Sequence, residues 1–291
     1  MDNVRMDVLK RGGKKLGEAF GAIGRRRDFR VVALLTVRNE ELYIGHCIAH
    51  LVSQGIDVCV VDNDSEDGTA GIAKSFLGSG VIAVERYPYP GYFDLRGILK
   101  NEERLSYEID AEWFMHHDAD EIRESPKPFG NLREALCEVD RKGFNAVNFN
   151  EFVFVPTDDA ASFERRDYVK EMKYYYFFEP REHHRTNAWK KTVPVNLVNT
   201  GGHSVMFEGR SVFDTNFILR HYLALSRDHF VAKYIGRIFS PEELRDGWHG
   251  KRACLAREDI RLPAKEELFE YAGDRMWHAE APWKRHFFDK A

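Results

Sequence analysis

Residues 113–121 read Trp-Phe-Met-His-His-Asp-Ala-Asp-Glu. A hydrophobic run ends in two aspartates one residue apart, Asp118 and Asp120, with Glu121 behind them. In a strand, residues i and i+2 point the same way, so both carboxylates are expected to face one ligand. Two like charges that close repel unless a cation or hydrogen-bond donors sit between them. A divalent metal answers that need. Hard oxygen ligands suit Mg²⁺ or Mn²⁺, which bring substrate phosphates with them. The plainer reading is a solvated turn, so the elements around the pair have to decide.

Upstream, residues 30–37 (Arg-Val-Val-Ala-Leu-Leu-Thr-Val) form a short apolar run of the kind buried on both faces of a sheet. Arg38-Asn39-Glu40-Glu41 follows, then Leu42, Ile44, Ile48, Leu51 and Val52 at helical spacing. Residues 57–62 make a second apolar strand. It ends in Asn63-Asp64-Ser65-Glu66-Asp67-Gly68-Thr69, which is turn and N-cap chemistry. A second helical stretch to about Phe76 and a third strand at Val81–Val84 complete a βαβ series, which implies a parallel sheet. Ligands of such sheets bind beyond the carboxyl ends of the strands. The polar clusters 38–41, 62–67 and 118–121 each follow a strand and so should converge on one crevice.

Thr36-Val37-Arg38-Asn39-Glu40-Glu41, then Val60 to Thr69, then His117-Asp118-Ala119-Asp120-Glu121 together resemble a family 2-type glycosyltransferase with the GT-A fold, over roughly residues 30–125. The resemblance implies an α/β fold with a Rossmann-like, mostly parallel central sheet flanked by helices and a C-terminal helical extension. It implies a metal-dependent, hexosyltransferase-type enzyme of bacterial cell-surface glycan synthesis. Such an enzyme moves a sugar from a nucleotide-diphosphate donor, UDP-sugar by default, to a glycan or lipid-linked acceptor hydroxyl. It places Thr36, Arg38, Asn39, Glu40, Asp62 and Asn63 around the base and ribose. Asp118 would touch ribose or metal, and Asp120 would ligate the Mn²⁺ or Mg²⁺ that bridges the diphosphate. Arg38 stands where an aromatic is frequent in the family, which removes the usual base-stacking contact.

Composition sets the frame. The 291 residues carry 43 Lys+Arg and 47 Asp+Glu, for a net charge of −4, so nothing draws the chain globally toward nucleic acid. Its four cysteines are far apart and form no metal or disulfide pattern. No apolar run reaches membrane-spanning length and no signal-type apolar segment follows the first basic residues, so a cytoplasmic location is expected. Residues 1–29 form a basic leader, with Lys10, Arg11, Lys14, Lys15 and Arg25–Arg27 among Leu9, Leu16, Phe20 and Ile23. Such a pattern is either a solvated tail or a peripheral contact with the inner face of a membrane. Residues 30–239 are read as the GT-A domain and 240–291 as helices packed on it.

Downstream, Arg86 to Tyr92 holds two prolines and a glycine and reads as an aromatic loop. Arg96, Lys100, Asn101 and Arg104 follow on one side of a helix; the resemblance makes Arg96 and Lys100 diphosphate contacts. Residues 146–155 alternate as a half-exposed strand does, offering Asn148, Asn150 and Glu151 to a sugar. Residues 173–191 are dense in aromatic and basic side chains, which suit sugar faces and phosphates. In the block from Leu219 to Arg237, the resemblance makes His221 the third metal ligand; Lys233 and Arg237, one helical turn apart, could grip the diphosphate.

An inverting transfer needs a carboxylate to take the acceptor proton. No clean copy of the family's later Glu-Asp pair is present. Glu151 and Asp228 head the candidates, with Asp158, Asp159 and Asp214 behind. Three rivals remain: a nucleotidyltransferase, a non-catalytic sugar-nucleotide or glycan-binding protein of the same fold, and a metal phosphohydrolase. The first lacks its Gly-rich basic loop after the first strand, and the last lacks an aspartate there.

Overall fold

The computed structural model describes residues 29–289. Residues 1–28 of the basic leader therefore lie outside the described residues. Among them, no helix is long and apolar enough to cross a membrane.

The first half is a βα series: β1 (Val31–Val37), α1 (Ile44–Ser53), β2 (Asp57–Asp62), α2 (Thr69–Ser75), β3 (Val81–Arg86), α3 (Leu95–Glu108) and β4 (Trp113–His117). These strands pair in parallel in the order β4-β1-β2-β3. Their apolar runs serve two cores at once. Val31, Ala33, Leu35 and Val37 of β1 join one hydrophobic cluster while Val32 and Leu34 join another. β2 and β4 divide in the same way, with Val58, Val60, Trp113 and Met115 on one side and Cys59, Val61 and Phe114 on the other. That period-2 split is why the strands read as continuous hydrophobic runs. α1 covers one face with Ile44, Cys47, Ile48 and Leu51; α3 covers the other with Leu99 and Leu105.

The second half adds β5 (Glu121–Glu124), α4 (Leu132–Arg141), β6 (Ala146–Phe154), α5 (Tyr168–Glu171), β7 (Tyr174–Phe178), β8 (Thr186–Lys190), β9 (Phe217–Tyr222) and α6 (Arg227–Tyr234). β8 joins antiparallel to β4 and carries the sheet on to β6 and β7. β9 lies parallel to β6 and antiparallel to β5. The sheet is thus mixed, with the parallel part at the end that receives the three polar clusters.

β6 differs from expectation. It pairs with β7, β8 and β9 and is buried along almost its whole length rather than half-exposed. Its Asn148 and Glu151 therefore have to be satisfied inside the protein. The aromatic run at 174–178 is mainly core: Tyr175, Tyr176, Phe177 and Phe178 are all buried. Beyond Phe239, helix is confined to short pieces, α7 (Pro241–Arg245), α8 (Gly250–Ala253) and two 3₁₀ turns, because Gly247, Pro263 and Gly273 interrupt the segment. This segment also supplies a two-residue strand, β10 (Phe269–Glu270), which pairs with β7. Trp277 stacks on Phe152 at 4.5 Å, and Phe288 packs with Phe230 and Tyr234, so the segment shares the core of what precedes it.

Candidate active site

The three polar clusters open onto one cavity of about 1170 Å³. Thr36 to Glu40, Asn63 and Asp118 to Asp120 line it on the side of the β1, β2 and β4 carboxyl ends. His221 of β9 and Lys233 of α6 line it beside Asp120.

The first two clusters hold each other. The Arg38 guanidinium donates to the Asn63 carbonyl at 2.9 Å and lies over the Tyr89 ring at 3.7 Å. Asn39, at φ 55°, accepts from the Glu66 amide, and its own amide donates to Ser65. The Asn63 side chain donates to the Tyr87 carbonyl, and Asp62 accepts from the Ser65 amide. Asp62 thus braces the turn, while its neighbour Asn63 faces the cavity. Tyr89, from the aromatic loop, supplies a flat face where Arg38 replaces the family's aromatic.

Asp118 and Asp120 do not stand on a strand. β4 ends at His117, and 118–120 form a turn closed by the Glu121 amide donating to the Asp118 carbonyl at 3.2 Å. Both side chains nevertheless line the cavity. Their environments diverge. The Asp118 carboxylate accepts no hydrogen bond among the described residues. Burial, reinforced by Glu121, raises its pKa. Asp120 is the reverse: burial would raise it, but Lys233 and His221 outweigh burial and hold it far below the usual carboxylate range.

Asp120 belongs to an unbroken run of alternating charge. Arg123 donates to Glu121 at 2.6 Å, and the Arg185 guanidinium lies 3.9 Å from the other Glu121 oxygen. Arg185 grips Glu151 through two hydrogen bonds, at 2.6 and 2.8 Å. Glu151 meets His221 Nδ1 at 2.6 Å, and His221 Nε2 lies 3.5 Å from Asp120 Oδ2. Lys233 Nζ then bridges Asp120 at 2.9 Å and Glu40 at 3.1 Å. Every member is at least four-fifths buried in its side chain. Each charge is tolerated there only because its neighbours are opposite and hydrogen-bonded.

This network revises several expectations. Glu151 is no proton acceptor: Arg185 and His221 outweigh burial and keep its pKa well below the usual value. His221 would be lowered by burial, but Asp120 and Glu151 raise it to about 10. The imidazole already faces a carboxylate at each nitrogen, Glu151 at Nδ1 and Asp120 at Nε2. Asp228 lies outside the cavity, 81% exposed in its side chain and paired with Arg257 at 2.8 Å. Arg96 is held by Glu242 and Asp246 and lies under Trp248, and Lys100 does not reach the cavity. The reason is the helix face: α3 turns Leu95, Ile98 and Glu102 inward and leaves Arg96, Lys100 and Arg104 outside.

That inward face carries a pair that the sequence reading missed. Glu102, fully buried, accepts from the Thr36 hydroxyl at 2.7 Å and binds His116 Nδ1 at 2.6 Å. Burial alone would lower His116, but Glu102 raises it to about 9. The spacing of Leu95, Ile98 and Glu102 was the available signal, hidden by the more conspicuous basic stripe. Phe178, His184, His203 and His286 line the cavity as one cluster of touching rings. Burial, with Arg185 next, lowers His184 to about 2 and His203 to about 3.

The described residues do not fit a metal held by Asp118, Asp120 and His221. Among them, no group of three or more His, Cys, Asp or Glu side chains is arranged to hold an ion. Asp120 Oδ2 already faces the Lys233 ammonium at 2.9 Å and His221 Nε2 at 3.5 Å.

Residues 33–87 match the family model of Glycosyl transferase family 2. Over 107 residues the chain is 30% identical to the lipopolysaccharide core biosynthesis glycosyltransferase LpsC of Rhizobium meliloti (strain 1021), covering 37% of this chain. The match spans only 36% of that relative's length. Among solved structures, S. aureus TarS 1-349 in complex with UDP aligns with a TM-score of 0.42 at 11% identity, covering 82% of this chain and 77% of that one. Glucosyl-3-phosphoglycerate synthase from Mycobacterium tuberculosis, in complex with Mn²⁺, UDP and glucosyl-3-phosphoglycerate, aligns with a TM-score of 0.26 at 19% identity, covering 43% of this chain and 44% of that one.

Proposed function

We propose that the chain, whose residues 33–87 match the Glycosyl transferase family 2 model, transfers a sugar from a nucleoside-diphosphate donor, a UDP-sugar in the first instance, to an acceptor hydroxyl in glycan synthesis. One observation carries the reading. The three motif segments, at 36–40, 63 and 118–120, line a single cavity together with the cationic side chains Lys233, Arg237 and Arg252.

In this reading the base lies against the stacked Arg38 and Tyr89, beside Asn63. The diphosphate runs over the 118–120 turn toward Lys233 and Arg237. Fixed cations in a water-poor cavity stabilise the charge that develops on the departing nucleoside diphosphate. The acceptor enters along the wall of Phe178, His184, His203 and His286. The described residues form no protein cage for the expected Mn²⁺ or Mg²⁺. Contact of the leader with a membrane belongs to the proposal only as a route to lipid-linked acceptors.

A binding protein of the same fold is the second reading. It is favoured by one fact: Glu151 is tied up in ion pairs and Asp228 lies outside the cavity, so neither is placed to take the acceptor proton. The test is a melting-temperature screen of UDP-, GDP-, dTDP- and CMP-sugars, followed by release of nucleoside diphosphate from any donor that binds. A ligand of the native state raises the midpoint by mass action. Binding of one donor with steady release supports the transferase. Binding without release supports the second reading, and no binding to the folded protein refutes both.

A further inference from the structure

An acidic pair at a cavity floor calls for a cation, and the chain brings one of its own. Lys233 projects from α6, whose first turn is fixed by Ser226 accepting from the His229 amide and whose apolar side is buried through Phe230 and Tyr234. The Lys233 ammonium lies over the Tyr43 ring at 4.6 Å and ends 2.9 Å from Asp120 and 3.1 Å from Glu40. Its side chain is 9% exposed and lines the cavity. A divalent ion on Asp120 would share its carboxylate with the Lys233 ammonium, which stands 2.9 Å from Oδ2, and would lie against that positive charge.

We propose that Lys233 is the resident cation of this site, its ammonium standing between Glu40 and Asp120 in place of a divalent metal and meeting the donor diphosphate directly. The diphosphate contact rests on the transferase reading; the exclusion of metal does not. Arg237, one turn on, is the second phosphate contact. It packs over Phe93 at 4.9 Å and Tyr234 at 5.7 Å, with no ion pair among the described residues. A compact ammonium suits a phosphate as a point charge, and a guanidinium suits it as a fork.

The test has two arms on the full chain. The first is Mn²⁺ titration of the nucleotide-free protein, followed by electron paramagnetic resonance. Wild type should bind Mn²⁺ at this site no better than millimolar. Lys233→Gln should gain affinity by roughly tenfold or more, a gain that Asp120→Asn in the same background removes. Micromolar binding of one Mn²⁺ by wild type, lost in Asp120→Asn, overturns the proposal. So does a folded Lys233→Gln with no gain. If Lys233→Gln does not fold, the wild-type titration still decides. The second arm is calorimetry of UDP and GDP with wild type in Mn²⁺ and in EDTA. Affinities equal within about threefold support the proposal, and loss of binding in EDTA overturns it. If neither nucleotide binds in either buffer, the transferase reading fails for those donors and the Mn²⁺ titration alone judges Lys233.

Discussion

Glu102→Gln is the sharpest probe of the buried pair beneath Thr36. The substitution keeps the shape and both hydrogen-bond positions but removes the charge that holds a proton on His116. His116 rises from the usual 6.5 to about 9, Glu102 being the chief of the groups that oppose burial, with Asp118 and Glu121 adding to it. A histidine raised in the folded state contributes stability that is complete below its unfolded pKa and is lost as pH rises through the folded one. A gap of about 2.5 units is worth about 3 kcal/mol near pH 5, about 2.5 kcal/mol near pH 7 and almost nothing near pH 10. The variant should therefore be destabilised by about 2–3 kcal/mol at neutral and acid pH, with the difference shrinking to under about 1 kcal/mol near pH 10.

Urea unfolding at three pH values measures that difference, and the imidazole proton resonances of wild type follow His116 directly. Two results refute the reasoning. One is a wild-type His116 that titrates near 6.5. The other is a destabilisation that does not change with pH, which would make Glu102 a packing residue rather than a charge partner.

Other perturbations test the rest of the site. Arg185→Lys, which removes a two-point grip on buried Glu151, should cost about 3–5 kcal/mol in urea unfolding, because an ammonium cannot span both oxygens. Tyr89→Ala should weaken nucleotide binding roughly tenfold by calorimetry, through a lost stacking face, with little change in melting temperature. Acid should unfold the protein through the alternating network. Burial would raise Glu121, but Arg123 and Arg185 hold it at about 2, and Asp120 and Glu151 are also depressed. Their stability is present above about pH 4.5 and is lost as pH falls toward about 2, with Glu121 alone contributing about 3 kcal/mol. Circular dichroism across that range should show a steep transition, and a flat response to pH 2 would contradict it.

The parts of this fold that the sequence disclosed are those with local cause. β1, β2 and β4 declare themselves because each apolar run feeds two cores, and the polar clusters follow because parallel strands end on one side. The site's electrostatics were not legible for the opposite reason. Arg185 reaches Glu151 across 34 residues of chain, His221 reaches Glu151 across 70, and Lys233 reaches Asp120 across 113. Nothing local distinguishes these side chains from solvated ones. Burial of β6 by three partner strands turned Glu151 from a sugar contact or base into an ion-pair hub, and that depends on topology, not periodicity. On α3, two stripes share the helical period, and charge content alone favoured the wrong one.

Under the proposed reading, this balance also says which groups select the ligand. A floor whose charges are already paired exerts little net pull on a polyanion. Beyond the direct contact with Lys233, attraction for the diphosphate then falls on Arg237 and Arg252, which line the cavity and make only ring contacts in place of ion pairs among the described residues. The cluster of rings works through a different property. His184, His203 and His286 are all lowered by burial, so their imidazoles are neutral across the physiological range. His203 Nδ1 is bonded to the Thr200 carbonyl and His286 Nδ1 to the Tyr176 hydroxyl, so each leaves its Nε2 for a sugar hydroxyl. Phe178 stacks on His286 at 3.8 Å and adds an apolar face. Paired charge at the floor, open charge at the rim and neutral imidazole on the wall thus divide one cavity into a zone for the nucleotide and a zone for hydroxyls, and transfer would occur where the two meet, above Asp118.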